Sequence, residues 1–331
     1  MKRFSSVMLV LSVAITMLYG QEERNEASAY TSQGMTAYSA GDYPRAIESF
    51  RKAFLLRPEN SAIAYNISCS FALLGEKDSA LVWLEKALQL GIYFFSDDDD
   101  LASLRAEPRY QELEAAGMQK IAELKSREWK PVIEVPDQYA DGKLCPAVIG
   151  LHGFGSNPED FAGVLAPAVT GSGYLLCCPY GPDVRGSTAF GWGDCAEAEK
   201  RILETVEYLK NNYNIDTARI VLLGYSQGGA RVFCAGLKNG GIFAGLIAVA
   251  GRCCPDVGAY LDAGEVQDMA IYMMIGENDR SVESNRTARR LMEEKGIRSE
   301  LIVYPELGHA FPPDPDGEIR KALEWLDDSG R

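Results

Sequence analysis

The sequence predicts an α/β fold, a doubly wound and mostly parallel sheet, preceded by a small all-α helical repeat domain. Three observations carry that expectation. From Trp129 onward, short apolar β-rich runs alternate with helical stretches. Residues 27–92 resemble themselves when shifted by 34 positions. The stretch Ile220–Ala230, IVLLGYSQGGA, passes from four apolar strand residues through a glycine-rich turn into helix-compatible sequence.

The chain has 331 residues, enough for two domains or one large one. Its 47% hydrophobic and 10% aromatic content is that of a globular core. A net charge of −14 disfavours nucleic acid and anionic membrane surfaces as partners, because both repel an acidic protein. There are two histidines, His152 and His309, so any histidine-dependent chemistry must use one of them.

The N-terminus reads as a targeting segment. Lys2 and Arg3 precede an apolar run, Val7–Leu18, too short for a comfortable membrane span. Cleavage after Gly20 is expected, which makes residues 1–20 a signal peptide and the protein exported, periplasmic or secreted, with no membrane span in the mature chain. Leu18 departs from the small-residue cleavage pattern, so an uncleaved N-terminal anchor stays the alternative.

A helical repeat domain with a capping helix is expected over 27–127. The 34-residue shift superimposes Gly41 on Gly75, Ala46 on Ala80, Phe50 on Leu84 and Ala53 on Ala87. Gly34, Tyr38 and the triplet Gly41-Asp42-Tyr43 complete a first unit that ends at Pro58. This pattern resembles the tetratricopeptide repeat, in which small residues sit where two helices cross and large ones fill the groove between them. Ser68 stands where the second unit would have glycine, and Lys77 where it would have an aromatic residue. Two repeats bury little surface alone, so Pro108–Arg127, with Tyr110, Leu113, Met118, Ile121 and Leu124, is expected to cap the stack. The resemblance implies a possible protein or peptide partner for the repeats. Asp97–Asp100 reads as a solvated loop or N-cap before Leu101–Arg105; no glycine-spaced ligand loop follows, which argues against calcium.

Residues 128–331 are expected to form the sheet domain. Strands are read at Pro131–Val135, Ala147–Leu151, Tyr174–Cys178, Ile220–Leu223, Leu246–Ala250, Ala270–Ile275 and Glu300–Tyr304. Helices are read at Pro158–Val169, Ala196–Asn212, Ala230–Lys238, Val282–Lys295 and Asp316–Asp328. Ligand chemistry in such sheets gathers at the carboxyl ends of strands, and the chemical candidates lie there. Gly224-Tyr225-Ser226-Gln227-Gly228 is a G-x-S-x-G turn between strand and helix, which marks Ser226 as a nucleophile. His152-Gly153-Phe154-Gly155 follows an earlier strand; the amide of Phe154, with that of Gln227, would form an oxyanion hole. His152 is read as a structural histidine holding that loop. Asp279 follows a third strand as the group that orients a base; it also suits a helix N-cap, and Glu277 is a rival acid. His309 follows a fourth as the base. The chain order Ser, Asp, His is the expected one for such a fold.

Residues from about 130 onward resemble an α/β-hydrolase of the phospholipase/carboxylesterase and dienelactone-hydrolase branch. LHGFG, GYSQGGA, GENDRSV and GHAFP carry the resemblance, and Trp192-Gly193-Asp194 is similar to a loop lining the active site there. It implies a triad of Ser226, Asp279 and His309, an oxyanion hole at Phe154 and Gln227, and hydrolysis of carboxylic esters or thioesters without metal or cofactor.

Only Gly251–Met269 separates two consecutive strands, which leaves no room for a helical cap and implies an open site for small or soluble acyl substrates. Phe154, Tyr180, Phe190 and Trp192 are candidates to line an apolar pocket, with core packing as the alternative. Eight cysteines permit disulfides. Cys177, Cys178, Cys195, Cys253 and Cys254 are expected at one end of the sheet, with a bridge from Cys195 to one of the pairs. No C-x-x-C or third-ligand histidine is available for a metal. A serine peptidase on the same residues, and a scaffold with a degenerate hydrolase, are the competing functional classes.

Overall fold

The computed structural model describes residues 26–140, 142–262, 266 and 269–328, and they divide after Ser126 into two compact units. The expected signal segment lies outside the described residues. Among those residues no helix is long and apolar enough to cross a membrane.

The first unit is all helical. Helix α1 covers 26–39, followed by α2 (Tyr43–Leu56), α3 (Ser61–Leu74) and α4 (Lys77–Gln89). Asp42 caps α2 by accepting from the Arg45 amide at 3.2 Å, and Asn60 caps α3 from the Ile63 amide at 3.1 Å. Ala46, Ala80, Phe50 and Leu84 are all fully buried, the small residues at the crossings and the large ones in the grooves. Gly34 has a steric cause: a Cβ there would stand 2.5 Å from the Phe50 ring. Ser68 replaces the second unit's glycine without loss, because its hydroxyl donates to the Ala80 carbonyl at 2.8 Å across the helix pair. A short 3-10 turn, Asp99–Leu104, and α5 (Pro108–Lys125) complete the unit, burying Leu101, Leu104 and Tyr110. Asp98 is the N-cap of that turn and accepts from the Tyr65 hydroxyl at 2.6 Å, while Tyr38 donates to Asp100.

The second unit is a seven-stranded sheet with helices on both faces. In chain order it contains β1 (Val132–Glu134), β2 (Cys145–Leu151), α6 (Pro158–Gly171) and β3 (Leu175–Cys178). A small ribbon of β4 (Asp183–Val184) and β5 (Phe190–Gly191) leads into α7 (Cys195–Asn212) and β6 (Ile215–Tyr225). Helix α8 (Gln227–Arg231) widens into a π-turn at Val232–Gly236. Then come β7 (Gly245–Val249), α9 (Val257–Asp262), β8 (Ala270–Gly276), α10 (Val282–Glu294), β9 (Ser299–Tyr304) and α11 (Pro315–Asp327). The sheet order is β1-β3-β2-β6-β7-β8-β9, with β1 antiparallel to its neighbour and the rest parallel.

Side-chain alternation along β6 sorts the core into two layers. Ile220 and Leu222 face α7, α9 and α10, whereas Val221 and Leu223 face α6 and α11. A strand covered on both sides is apolar at every position, which is why the run Ile220–Leu223 carries no polar alternation. Cys177 and Cys178 are the last two residues of β3 and are fully buried, one in each layer. One cysteine expectation is corrected here. Cys195 is bridged to Cys234, not to an adjacent-cysteine pair, because the π-turn carries Cys234 to the start of α7 with Cα atoms 6.2 Å apart.

Candidate active site

The carboxyl ends of β2, β6, β8 and β9 deliver the candidate residues to one place. The turn after β6 is set by sterics. Ser226 has φ 55° and ψ −113°, a left-handed conformation that a non-glycine residue adopts only when its surroundings force it. Its amide donates to the Val249 carbonyl at 2.9 Å. A Cβ on Gly224 would meet the Gly228 carbonyl carbon at 2.4 Å, and one on Gly228 would meet the Leu151 oxygen at 2.1 Å. Both glycines of G-x-S-x-G are therefore demanded by backbone approaching backbone.

The Ser226 hydroxyl lies 2.8 Å from His309 Nε2, and His309 Nδ1 lies 2.6 Å from Asp279 Oδ2. With Nδ1–H donating to the carboxylate, Nε2 is left to accept from the serine. Asp279 is 2% exposed, and its other oxygen accepts the Ser281 amide at 2.8 Å. The N-cap of α10 is Ser281, so Asp279 is free of that role. Glu277 is exposed and accepts the Glu306 amide at 3.2 Å, whereas the imidazole is bonded to Asp279. The His309 side chain is 46% exposed, so the site opens to solvent. The Tyr225 ring stacks on Phe311 with centroids 4.5 Å apart and flanks His309 at 5.8 Å.

The loop after β2 comes close to the serine: a methyl on Gly153 would stand 3.7 Å from Ser226 Cβ. Among the described residues the Phe154 amide donates to no backbone carbonyl. Gln227 opens α8, so its amide is one of the leading N–H groups that no earlier helical turn satisfies. His152 is fully buried, with Nδ1 2.8 Å from the Gly153 oxygen and Nε2 accepting the Gly181 amide at 3.3 Å. Burial holds its pKa down at about 4, so it stays neutral and fixes the loop.

The expected pocket residues are corrected. Trp192 is fully buried, and its indole N–H donates to the His152 carbonyl at 2.8 Å. Tyr180 is 9% exposed, donates its hydroxyl to Glu159 and packs between Trp129 and Phe190. Both rings serve as framework: Trp192 is held by the buried His152 carbonyl, and Tyr180 is packed among aromatic rings with its hydroxyl reaching out to the exposed Glu159 carboxylate. Phe154 is the exposed aromatic group at the site, with the Arg185 guanidinium 4.8 Å over its ring. Sequence reasoning also missed Arg231, which donates to the Gly193 carbonyl, and Cys234.

Three comparisons bear on this geometry. Residues 185–325 match the dienelactone hydrolase family, and residues 27–60 match the tetratricopeptide repeat. Among curated proteins, the photosystem I assembly protein Ycf3 of Rippkaea orientalis is 26% identical over 154 residues, 43% of this chain and 86% of that protein. The crystal structure of esterase PE8 is 19% identical, covers 61% of this chain and 99% of its own, and superposes with a TM-score of 0.50. An uncharacterised protein from Bacillus cereus, also 19% identical, covers 91% of this chain and 99% of its own at a TM-score of 0.51. At that identity the two structures speak for the fold. The chain is thus similar to the tetratricopeptide repeat over residues 27–60 and to the dienelactone hydrolase family over residues 185–325.

Proposed function

We infer that the protein is an exported serine hydrolase that cleaves carboxylic esters or thioesters of small or soluble acyl substrates. The observation that carries this reading is the hydrogen-bonded series Ser226–His309–Asp279, with its serine on a strained turn and its carboxylate buried. Ser226 Oγ attacks the acyl carbonyl while His309 Nε2 takes its proton. Asp279 holds the imidazole in the tautomer that leaves Nε2 free, and stabilises the imidazolium that forms. The tetrahedral oxyanion rests on the amides of Phe154 and Gln227, each contributing on the order of 3 kcal/mol. His309 then protonates the leaving group, and a water activated by the same residue releases the acyl chain from Ser226.

Access to the site supports the substrate class inferred here. Between β7 and β8 the described residues hold one short helix, α9, and no cap. With half-exposed His309 and exposed Phe154 at the entrance, the site suits an acyl or aryl group presented in water. A protein or peptide partner is assigned to the repeats on their resemblance alone. The test is turnover on p-nitrophenyl esters, acyl thioesters, feruloyl esters and aminoacyl amides, alongside Ser226→Ala. Cleavage of amides in preference to esters would move the assignment to a peptidase. Turnover undiminished in Ser226→Ala would end it.

A further inference from the structure

The segment Trp192–Cys195 is tied to the helix behind the nucleophile at three points. The Trp192 amide donates to Gln227 Oε1 at 3.0 Å. Arg231 donates to the Gly193 carbonyl, and Cys195 is bonded to Cys234. The helix-side residues 227 and 231 lie one α-turn apart, and the π-turn that follows brings Cys234 to the same segment. Trp192 also reaches the other way: its indole N–H holds the carbonyl of His152, whose ring holds the Gly153 carbonyl next to Phe154. One strap thus touches both elements that supply the oxyanion amides, Gln227 on α8 and Phe154 on the loop after β2. Its one covalent rung is the disulfide at the far end.

We propose that Cys195 and Cys234 are positioning residues whose disulfide holds the two oxyanion donors in register, so that turnover depends on the redox state of this pair. The proposal rests on the serine-hydrolase reading of the same site. A dithiol gives up two electrons and two protons and closes to its own cyclic disulfide; the Cys195–Cys234 bond breaks and two thiols form. The strap keeps its two hydrogen-bonded rungs but loses the covalent one. Cys195 is half-buried at the start of α7, within reach of a small reductant, whereas Cys177 and Cys178 are shut inside the sheet. Because oxyanion donors act on the transition state and hardly on the bound ester, loosening them lowers kcat and leaves KM in place.

The test uses the full-length wild-type protein with a p-nitrophenyl ester, before and after dithiothreitol. Peptide mapping with thiol alkylation identifies the released cysteines, and hydrogen exchange follows residues 152–155 and 227–236. The expected result is release of Cys195 and Cys234, a roughly tenfold fall in kcat with KM within about twofold, and faster exchange in both segments. Reoxidation restores kcat. Cys195→Ala behaves as the reduced enzyme and no longer responds to reductant. Unchanged kcat with both thiols alkylated, a change in KM alone, or free thiols at both positions before reduction overturns the proposal. Oxidised wild type without turnover would instead end the serine-hydrolase reading, and the exchange rates would then decide by themselves whether the bridge holds the two segments.

Discussion

Asp279 Oδ2 sits 2.6 Å from His309 Nδ1, with its second oxygen taken by the Ser281 amide, so a single buried carboxylate fixes both the direction and the tautomer of the imidazole. Asp279→Asn keeps the shape but offers an amide that favours the wrong tautomer. The expected loss is about 10⁴-fold in kcat, with the fold intact by circular dichroism.

Ser226→Ala and His309→Ala should each lose roughly 10⁵–10⁶-fold in kcat, and the double variant little more, since the groups act as one unit. Steady-state kinetics on one activated ester measures all three. A double variant whose losses multiply would mean that the two side chains act in separate steps.

His152 supplies a pH dependence of stability. Its folded pKa is about 4 against an ordinary 6.5, because burial disfavours the charged ring. The unfolded chain therefore binds more protons between those values, and stability falls as pH drops through that window and levels off below it. The whole effect is roughly 3 kcal/mol. Urea unfolding between pH 7 and pH 4 should show the slope, and His152→Asn should flatten it.

Gly228→Ala places a methyl 2.1 Å from the Leu151 oxygen, where only backbone could move away. Destabilisation of about 3 kcal/mol or more is expected, together with loss of turnover, because the same backbone carries Ser226. Gly34→Ala meets the Phe50 ring instead and should cost about 1–3 kcal/mol in the repeat unit while leaving kcat unchanged. Calorimetry alongside ester turnover separates the two effects.

Export predicts a mature N-terminus near residue 21. Mass spectrometry of the protein recovered from its native compartment reads it directly, and an intact Met1 in the cytosolic fraction would refute it.

The elbow glycines, the chain order of Ser226, Asp279 and His309, and the small and large residues of the repeats were legible because each is a local demand. A turn needs glycine, a strand end needs a polar residue, and a helix crossing needs alanine. Trp192, Tyr180 and Cys234 were not, because their roles depend on which way a side chain turns once distant segments meet. Nothing in the spacing of Trp192 tells that its indole finds the His152 carbonyl 40 positions away. Cys234 was hidden for a similar reason: its partner lies on a different helix, 39 residues earlier.

The φ of 55° at Ser226 has an implication for heat resistance. Holding a side chain there costs on the order of 1–3 kcal/mol, which glycine would not incur. Ser226→Gly should thus raise the melting temperature while abolishing turnover, and selection on thermal tolerance alone would drift toward a dead protein. Keeping the hydroxyl means that this chain gives up durability at one backbone position in exchange for a reactive group that points out of its turn.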